Sequence, residues 1–310
     1  MGRRPIRMRS ICVVVLLGGL VTLSGRTKTT PTSRVTSGNQ NHNAMQNSQT
    51  EIETPKQGAA FRYTLVSREI IGTRLDAAPR QNQDREPALE SIFEQSGCKG
   101  GNLFEQAVTH ANFPNVICRL PGAANSTIIV GGHFDKVARG GGVVDNWSGA
   151  SLLPSLFQSL QDRTRKHTFV FVGFTAEERG LMGSAFYVAH MSDAEVGRTR
   201  AMVNLDTLAL GPTEVWLTHS DQKLAGAFFA MAKSMKLPVS VANAERVGDD
   251  DSHSFVRRKI PTLMVHSLTN QTLHILHSDD DNLGAVKFND YYDTYRLLTA
   301  FLAWIDVTLD

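Results

Sequence analysis

The chain has 310 residues, and its 32 Lys and Arg nearly balance 30 Asp and Glu to leave a net charge of +2. With 41% hydrophobic and 20% charged residues, it has the proportions of a globular protein rather than of a disordered or membrane-embedded chain. Nucleic-acid-binding domains usually carry a clearly basic face, so this balance argues against a nucleic-acid partner.

The first 25 residues, 1–25, have the organisation of a secretory signal peptide. Four arginines precede an apolar run from Ile11 to Leu23, and Ser24 and Gly25 follow it. Such signals are removed on export, and this run is shorter than the roughly 20 residues that span a bilayer. We therefore expect a secreted or periplasmic protein with no membrane span in its mature chain. The alternative is an uncleaved signal that anchors the protein at the outer face of the membrane.

A linker and a single folded domain follow the predicted signal. Residues 26–54 are rich in Thr, Ser, Asn and Gln, a composition that cannot bury enough apolar surface to fold, so we predict a flexible linker there. The domain covers 55–310. It contains Cys98 and Cys118, which form either a disulfide in an oxidising compartment or two buried thiols.

Short apolar runs alternate with helical patterns in this domain. Continuous apolar runs, typical of strands buried on both faces, lie at 127–132, 168–174, 201–205 and 261–268. Helical patterns lie at Ser148–Leu160, Leu181–His190, Leu224–Met235 and Tyr291–Ile305. The alternation predicts a three-layer α/β/α sandwich around a mixed, largely parallel central sheet.

Histidines and carboxylates follow these runs, where the predicted strands end. In chain order they are His133, Asp135, Asp145, Glu177, Glu178, Asp206 and His277. Ligands of open α/β sheets bind beyond the carboxyl ends of the strands, so we expect one shared site.

The mixture of donor types indicates the chemistry of that site. Histidines and carboxylates without thiolates suit zinc or another divalent first-row metal. There are more carboxylates than one tetrahedral ion needs, which favours two ions that share a bridging carboxylate, as in many hydrolases. A glutamate beside such ions is placed to accept a proton from the acidified water.

Five short motifs make the interpretation more specific. They are HFD (133–135), DNWSGA (145–150), FTAEERGLMGSAFY (174–187), NLD (204–206) and LHSDDDNL (276–283). Each alone occurs by chance in many proteins. In this order and with these intervals, the segment from about residue 58 to the end resembles the co-catalytic di-zinc aminopeptidase family. The superfamily of that family also includes glutamate carboxypeptidase-type enzymes and glutaminyl cyclases.

The resemblance implies a set of zinc ligands. Asp145 would bridge two Zn²⁺ ions. His133 and Asp206 would complete one site, and Glu178 and His277 would complete the other. His274 lies three residues before His277, but the motif that follows favours His277.

The resemblance also implies roles for residues that do not bind the ions. Glu177 would be the general base and then the proton donor to the leaving amine. Asp135 would fix the tautomer of His133. A cis peptide bond is expected between Asp145 and Asn146.

Several further positions receive simpler interpretations. Trp147 replaces a commoner small residue of its motif, and we expect it to narrow the mouth of the site. The acidic runs Asp249–Asp251 and Asp279–Asp281 are expected to be solvated loops. The segment 250–262 resembles a segment of the same family, and His253 occupies a position that varies in that family. Structural roles are expected for five other histidines, His110, His167, His190, His219 and His266.

The predicted function is that of a secreted di-zinc exopeptidase, an aminopeptidase acting on peptides with a free N-terminus. One alternative is a glutaminyl cyclase, which uses a related scaffold with one zinc ion. Another is a non-enzymatic binding protein that keeps the fold but has lost the metals. The preferred side chain, the choice between amino and carboxy ends, and the oligomeric state stay open.

Overall fold

The computed structural model describes residues 61–244 and 248–310. The predicted signal peptide (1–25) and linker (26–54) lie outside the described residues, as do the first residues of the predicted domain. None of the helices in the described part of the chain is both long enough and apolar enough to cross a membrane.

An eight-stranded mixed sheet forms the centre of the structure. Its strands are β1 (Leu103–Gln106), β2 (Asn115–Leu120), β3 (Thr127–His133), β4 (Thr168–Phe174), β5 (Thr199–Leu205), β6 (Thr213–Val215), β7 (Val239–Val241) and β8 (Thr262–His266). Their spatial order is β1-β2-β4-β3-β5-β8-β6-β7. The four strands β4, β3, β5 and β8 are mutually parallel, whereas β1, β2 and β6 introduce antiparallel pairs. The mixed sheet with a parallel centre confirms the predicted fold class.

Helices cover both faces of this sheet. They are α1 (Arg68–Asp76), α2 (Asn82–Gln95), α3 (Ser148–Leu160), α4 (Met182–Ala189), α5 (Asp193–Arg198), α6 (Gln222–Met235), α7 (Ser252–Val256) and α8 (Phe288–Thr308). Alternate residues of β3 belong to different cores, since Ile128 and Val130 pack in one and Ile129 packs in the other. Side chains of a strand alternate between faces, so this division shows the three predicted layers.

The boundaries of the predicted elements hold to within a few residues, and the differences have local causes. Helix α4 begins at Met182 rather than Leu181 because Leu181 adopts a left-handed backbone conformation, with φ of 59°. Helix α6 begins two residues early, where the Asp221 side chain accepts hydrogen bonds from the backbone N–H groups of Lys223 and Leu224. Strand β8 ends at His266.

A disulfide bond joins the region after α2 to the sheet. Cys98 and Cys118 are bonded, with Cα atoms 6.3 Å apart, and Cys118 lies on β2. Of the two states considered for these cysteines, the structure therefore contains the disulfide.

Candidate metal centre

Six of the seven predicted site residues line one cleft at the carboxyl ends of the parallel strands. His133 ends β3, Asp206 follows β5, and Glu177 opens the helical turn after β4. These strands are neighbours in the sheet, so residues far apart in sequence meet at one edge. The cleft has a volume of about 350 Å³, and its charged lining includes His133, Asp145, Glu177, Glu178, Asp206 and His277.

Asp145 lies between the two histidines, and each of its carboxylate oxygens is directed to a different imidazole. Its Oδ1 is 3.4 Å from Nε2 of His133, and its Oδ2 is 3.2 Å from Nε2 of His277. Asp206 Oδ1 lies 3.5 Å from Nε2 of His133, and Glu178 Oε2 lies 3.0 Å from Nε2 of His277. The donors therefore form two groups that share Asp145.

These distances test whether the residues fit zinc. Donors held about 2.0–2.2 Å from one tetrahedral zinc ion lie about 3.3–3.6 Å from one another. The separations of 3.0–3.5 Å across the cluster are close to that range. In addition, Oε1 of Glu178 is buried and accepts no hydrogen bond, an arrangement that is unfavourable unless a cation or a proton binds there. The donor set fits zinc.

Glu177 lies at the edge of the group around His133. Its Oε2 is 3.8 Å from Nε2 of His133, the longest of the contacts in that group. Burial raises the pKa of Glu177 to about 10; the His133 charge opposes that rise, and nearby carboxylates, Asp251 first, add to it. Glu177 therefore has a high affinity for a proton when no cation is near.

Burial and charge also change the proton affinity of the neighbouring donors. Burial, followed by repulsion from Asp145, raises the pKa of Glu178 to about 7. The hydrogen bond to Asp145 raises the pKa of His277 to about 9. Burial works against ionisation of Asp145, but its contacts with His133 and His277 outweigh burial and hold its pKa well below the usual range. Asp145 is therefore the carboxylate that stays charged.

Asp135 lies behind the cleft and organises the turn that carries the two glutamates. Its carboxylate accepts the backbone N–H of Glu177 at 3.0 Å and that of Glu178 at 3.3 Å. Nδ1 of His133 is 3.2 Å from the main-chain carbonyl oxygen of Asp135 and 3.6 Å from its carboxylate. Both the carbonyl and the carboxylate of Asp135 are therefore near Nδ1 of His133, and the carboxylate also positions the two glutamates. The tautomer-fixing role of Asp135 stays a prediction.

Asn146 connects the Asp145 loop to the end of β5. The peptide bond between Asp145 and Asn146 is cis, as the resemblance implied. The Asn146 amide donates to Leu205 O at 2.8 Å and accepts from the N–H groups of Gly149 and Thr207. This side chain therefore links the loop that carries Asp145 to the strand that precedes Asp206.

The prediction of solvated acidic loops is wrong for Asp281. This residue is 3% exposed and accepts the backbone N–H of Val144 at 2.7 Å and that of Asp145 at 3.3 Å. It fixes the backbone of Asp145 from a position 136 residues further along the chain. Its neighbour Asp279 is exposed and pairs with Arg139, as expected of a solvated residue.

The same prediction is also wrong for Asp250 and Asp251, which are 2% and 0% exposed. Asp250 accepts a hydrogen bond from Nδ1 of His219 at 2.6 Å and another from Asn204 at 3.0 Å. Burial raises the pKa of Asp251 to about 8. The side chain of Asp249 alone is half exposed, so only the first residue of this acidic run is solvated.

Trp147 does not narrow the mouth of the cleft, contrary to the prediction. Its side chain is fully buried, and its indole N–H donates to Arg74 O at 2.9 Å. The Arg85 guanidinium lies over the indole ring, 5.6 Å from the ring centroid. Trp147 therefore supports the site from beneath. His274 is exposed and is not among the residues that line the cleft.

Sequence reasoning missed the buried cation Arg85. Its guanidinium donates to the carbonyl oxygens of Pro79, Phe134, Gly141 and Gly142 at 2.7–3.0 Å. Pro79 lies between α1 and α2. Phe134 directly follows β3, and the two glycines belong to the loop that leads to Asp145. A single arginine in the sequence gives no local signal of such a role.

One wall of the cleft is apolar, and no sequence pattern predicted it. Its residues come from the segments around β6 and β8 and from the loop before His277. They are Trp216, Met264, Leu268, Leu273 and Leu276. A cleft with metal-ligand residues on one side and this wall on the other can hold an apolar group beside the charged centre.

The described residues have the α/β fold of solved zinc exopeptidases. The chain belongs to peptidase family M28, whose model matches residues 115–302. A probable leucine aminopeptidase 2 from Aspergillus oryzae is 30% identical over 149 residues, which is 48% of this chain and 28% of that protein. The chain thus spans less than a third of this curated relative.

Solved structures support the fold assignment. The LapA aminopeptidase of Legionella pneumophila superimposes with a TM-score of 0.67 at 20% identity, over 78% of this chain and 71% of that one. The zinc aminopeptidase BSAP of Bacillus subtilis gives a TM-score of 0.56 at 22% identity, over 61% of this chain and 49% of that one.

Proposed function

We propose that this chain is an aminopeptidase that holds two zinc ions and removes the N-terminal residue from peptides with a free N-terminus. One observation carries the proposal. The two carboxylate oxygens of Asp145 are directed to different histidines, each accompanied by a further carboxylate. A carboxylate shared in this way is placed to bridge a pair of catalytic ions.

Each residue of the centre has a part in this proposal. His133 and Asp206 hold one ion, Glu178 and His277 hold the other, and Asp145 bridges them. Zinc, when bound, polarises a carbonyl group and acidifies water. Glu177 accepts a proton from the attacking water and returns it to the leaving amine. Asp135 holds the backbone N–H of Glu177 and so fixes the position of this base.

The apolar wall of the cleft supports a preference for large apolar N-terminal residues. Trp216 and Met264 lie in the same cleft as the charged centre, so a side chain attached to the reacting residue has an apolar surface to contact. The name of the Aspergillus relative, a probable leucine aminopeptidase, agrees with this preference.

We propose that the protein acts outside the cytoplasm, either secreted or periplasmic, and the alternative is attachment at the outer face of the membrane. The signal-like first 25 residues support this location. So does the disulfide between Cys98 and Cys118, because disulfides persist in oxidising compartments.

The substitution Glu177→Gln tests the proposal directly. We expect it to retain the zinc content of the wild-type protein and to lower kcat on aminoacyl amides by about 10²- to 10⁴-fold, the usual contribution of general acid–base catalysis. Glu214→Gln is a matched control, since Glu214 is a buried glutamate outside the cleft that accepts hydrogen bonds from Ser240. Unchanged turnover in Glu177→Gln would refute the role of this base.

A panel of free and amino-blocked substrates, with and without chelator, separates the alternatives. Zinc-dependent release of an amino acid from the free substrates alone supports the aminopeptidase. Ring closure of an N-terminal glutamine peptide without amino-acid release would identify a glutaminyl cyclase instead. If protein purified without chelators contains no zinc and shows neither activity, the non-enzymatic alternative is correct.

A further inference from the structure

A second group of metal-ligand side chains lies beside the cleft. It consists of His219, Asp249 and His253, one donor atom of each lying within 4.8 Å of those of the other two. We propose that these three residues form a further divalent-cation site, which takes zinc and is separate from the centre around Asp145. It shares no ligand with that centre, although Asp249 also lines the cleft.

The contact between Asp249 and His253 has the geometry of two ligands of one ion. Their Oδ1 and Nδ1 atoms are 3.1 Å apart, close to the separation of about 3.3 Å between donors of a tetrahedral zinc ion. Asp249 precedes α7 and His253 lies in its first turn, four residues later. The short helix therefore brings the two side chains to the same side of the chain.

His219 completes the group from a different segment and with a fixed orientation. Its ring stacks on that of Trp216, with 4.0 Å between the ring centroids, and its Nδ1 lies 2.6 Å from the buried carboxylate of Asp250. The carboxylate accepts a hydrogen bond from Nδ1, so Nε2 is the nitrogen that the proposal assigns to the ion. A histidine held by a carboxylate through its other nitrogen is the usual arrangement around protein-bound metals.

The orienting carboxylate is itself held in place. Asp250 accepts hydrogen bonds from the Asn204 side chain at 3.0 Å and from the backbone N–H of Ser252 at 2.8 Å. The rings of His219 and His253 lie 6.2 Å apart at an angle of 66°, so the two imidazoles approach from different directions. One ligand is thus rigid, and the two from the α7 region are more exposed and can adjust.

The donor types define the class of ion. Two imidazoles and one carboxylate favour zinc over calcium or magnesium, which prefer oxygen donors. Three protein ligands leave one tetrahedral position for water or another ligand. Because Asp249 and His253 are partly exposed, we expect this ion to exchange more readily than one bound to the buried donors His133 and Asp206.

Counting bound ions tests the site without measuring activity. The full chain, its His253→Ala variant and its Asp249→Asn variant are equilibrated against a series of buffered free-zinc concentrations, and bound zinc is measured by elemental analysis. We expect the wild-type protein to bind one more ion per chain than His253→Ala. For Asp249→Asn, the free zinc needed to fill that additional site should rise at least tenfold.

The controls separate a lost ligand from a damaged fold. His190→Asn removes another exposed histidine, near the end of α4, and should retain the wild-type number of ions. All variants should melt at the wild-type temperature in chelator. Equal zinc content in wild type and His253→Ala would overturn the proposal. An equal loss in His190→Asn would overturn it too. Since the readout is a difference of one ion, it does not depend on how many ions the cleft holds.

Discussion

Arg85 provides the sharpest test of how the site is supported. Its side chain is fully buried, and its guanidinium donates four hydrogen bonds to main-chain carbonyl groups. Two of those carbonyls belong to Gly141 and Gly142, directly before the loop that carries Asp145. We predict that Arg85→Lys destabilises the protein although it retains the positive charge.

The expected magnitude follows from the number of hydrogen bonds. The compact ammonium group of lysine cannot reproduce the fork of a guanidinium, so at least two of the four carbonyls lose their donor. A buried polar group that loses its partner costs about 1–3 kcal/mol, which gives a loss of about 3 kcal/mol in the free energy of unfolding. For a domain of this size, that loss lowers Tm by about 6–12 °C.

Urea unfolding of the wild-type protein and the variant measures this difference. Arg139→Lys is a matched control, because Arg139 is exposed and pairs with Asp279 at 3.0 Å. Such surface pairs contribute about 1 kcal/mol or less. We also expect Arg85→Lys to release zinc at a lower chelator concentration. A change in unfolding free energy no larger than that of Arg139→Lys would refute the reasoning.

Two further predictions concern stability. Replacing Cys98 and Cys118 by serine removes a disulfide with a sequence separation of 20. The free energy of unfolding measured in urea should fall by about 3 kcal/mol, and an unchanged urea midpoint would contradict this prediction. Burial lowers the pKa of the His266 imidazole to about 4. As the pH falls, the unfolded chain therefore binds a proton at this histidine before the folded chain does, and the free energy of unfolding should decrease between about pH 6.5 and about pH 4. The neutral imidazole of His266 donates to Ala242 O and accepts from Leu268 N–H. In His266→Asn, the urea midpoint should therefore depend less on pH between about 4 and 6.5. An unchanged pH dependence would show that other groups cause the loss of stability.

The sequence predicted the centre of the fold well because its strands are buried on both faces. The runs that form β3, β4, β5 and β8 are continuous and apolar, and such a pattern can be recognised without knowing which strands lie next to each other. Strands β6 and β7 have three residues each, and β6 exists through its pairing with β7 and β8. No local pattern of three residues predicts such a pairing.

The convergence of the candidate ligand residues at one cleft was predictable for a similar reason, since each follows a recognisable strand or lies in a motif. The supporting residues were not. Asp281 accepts a hydrogen bond from the backbone of Asp145, 136 residues away in the chain. The acidic residues around Asp281 had instead predicted a solvated loop. Asp250 and Asp251 stand in a comparable acidic run, but the approach of α7 and of His219 buries them. These roles depend on tertiary contacts that periodicity and composition do not encode.

The buried charges around the cleft connect the stability of the site with metal binding. Arg85 lies among the carboxylates of Asp281, Asp135, Asp145 and Glu178 and is attracted to all four. One guanidinium cannot neutralise the charge of so many carboxylates, and the pKa of Glu178 is raised by burial and by repulsion from Asp145. Burying uncompensated carboxylates is unfavourable unless protons or cations neutralise them. Divalent ions bound at the cleft would supply the missing charge, so metal binding and the stability of the carboxyl-end loops are coupled.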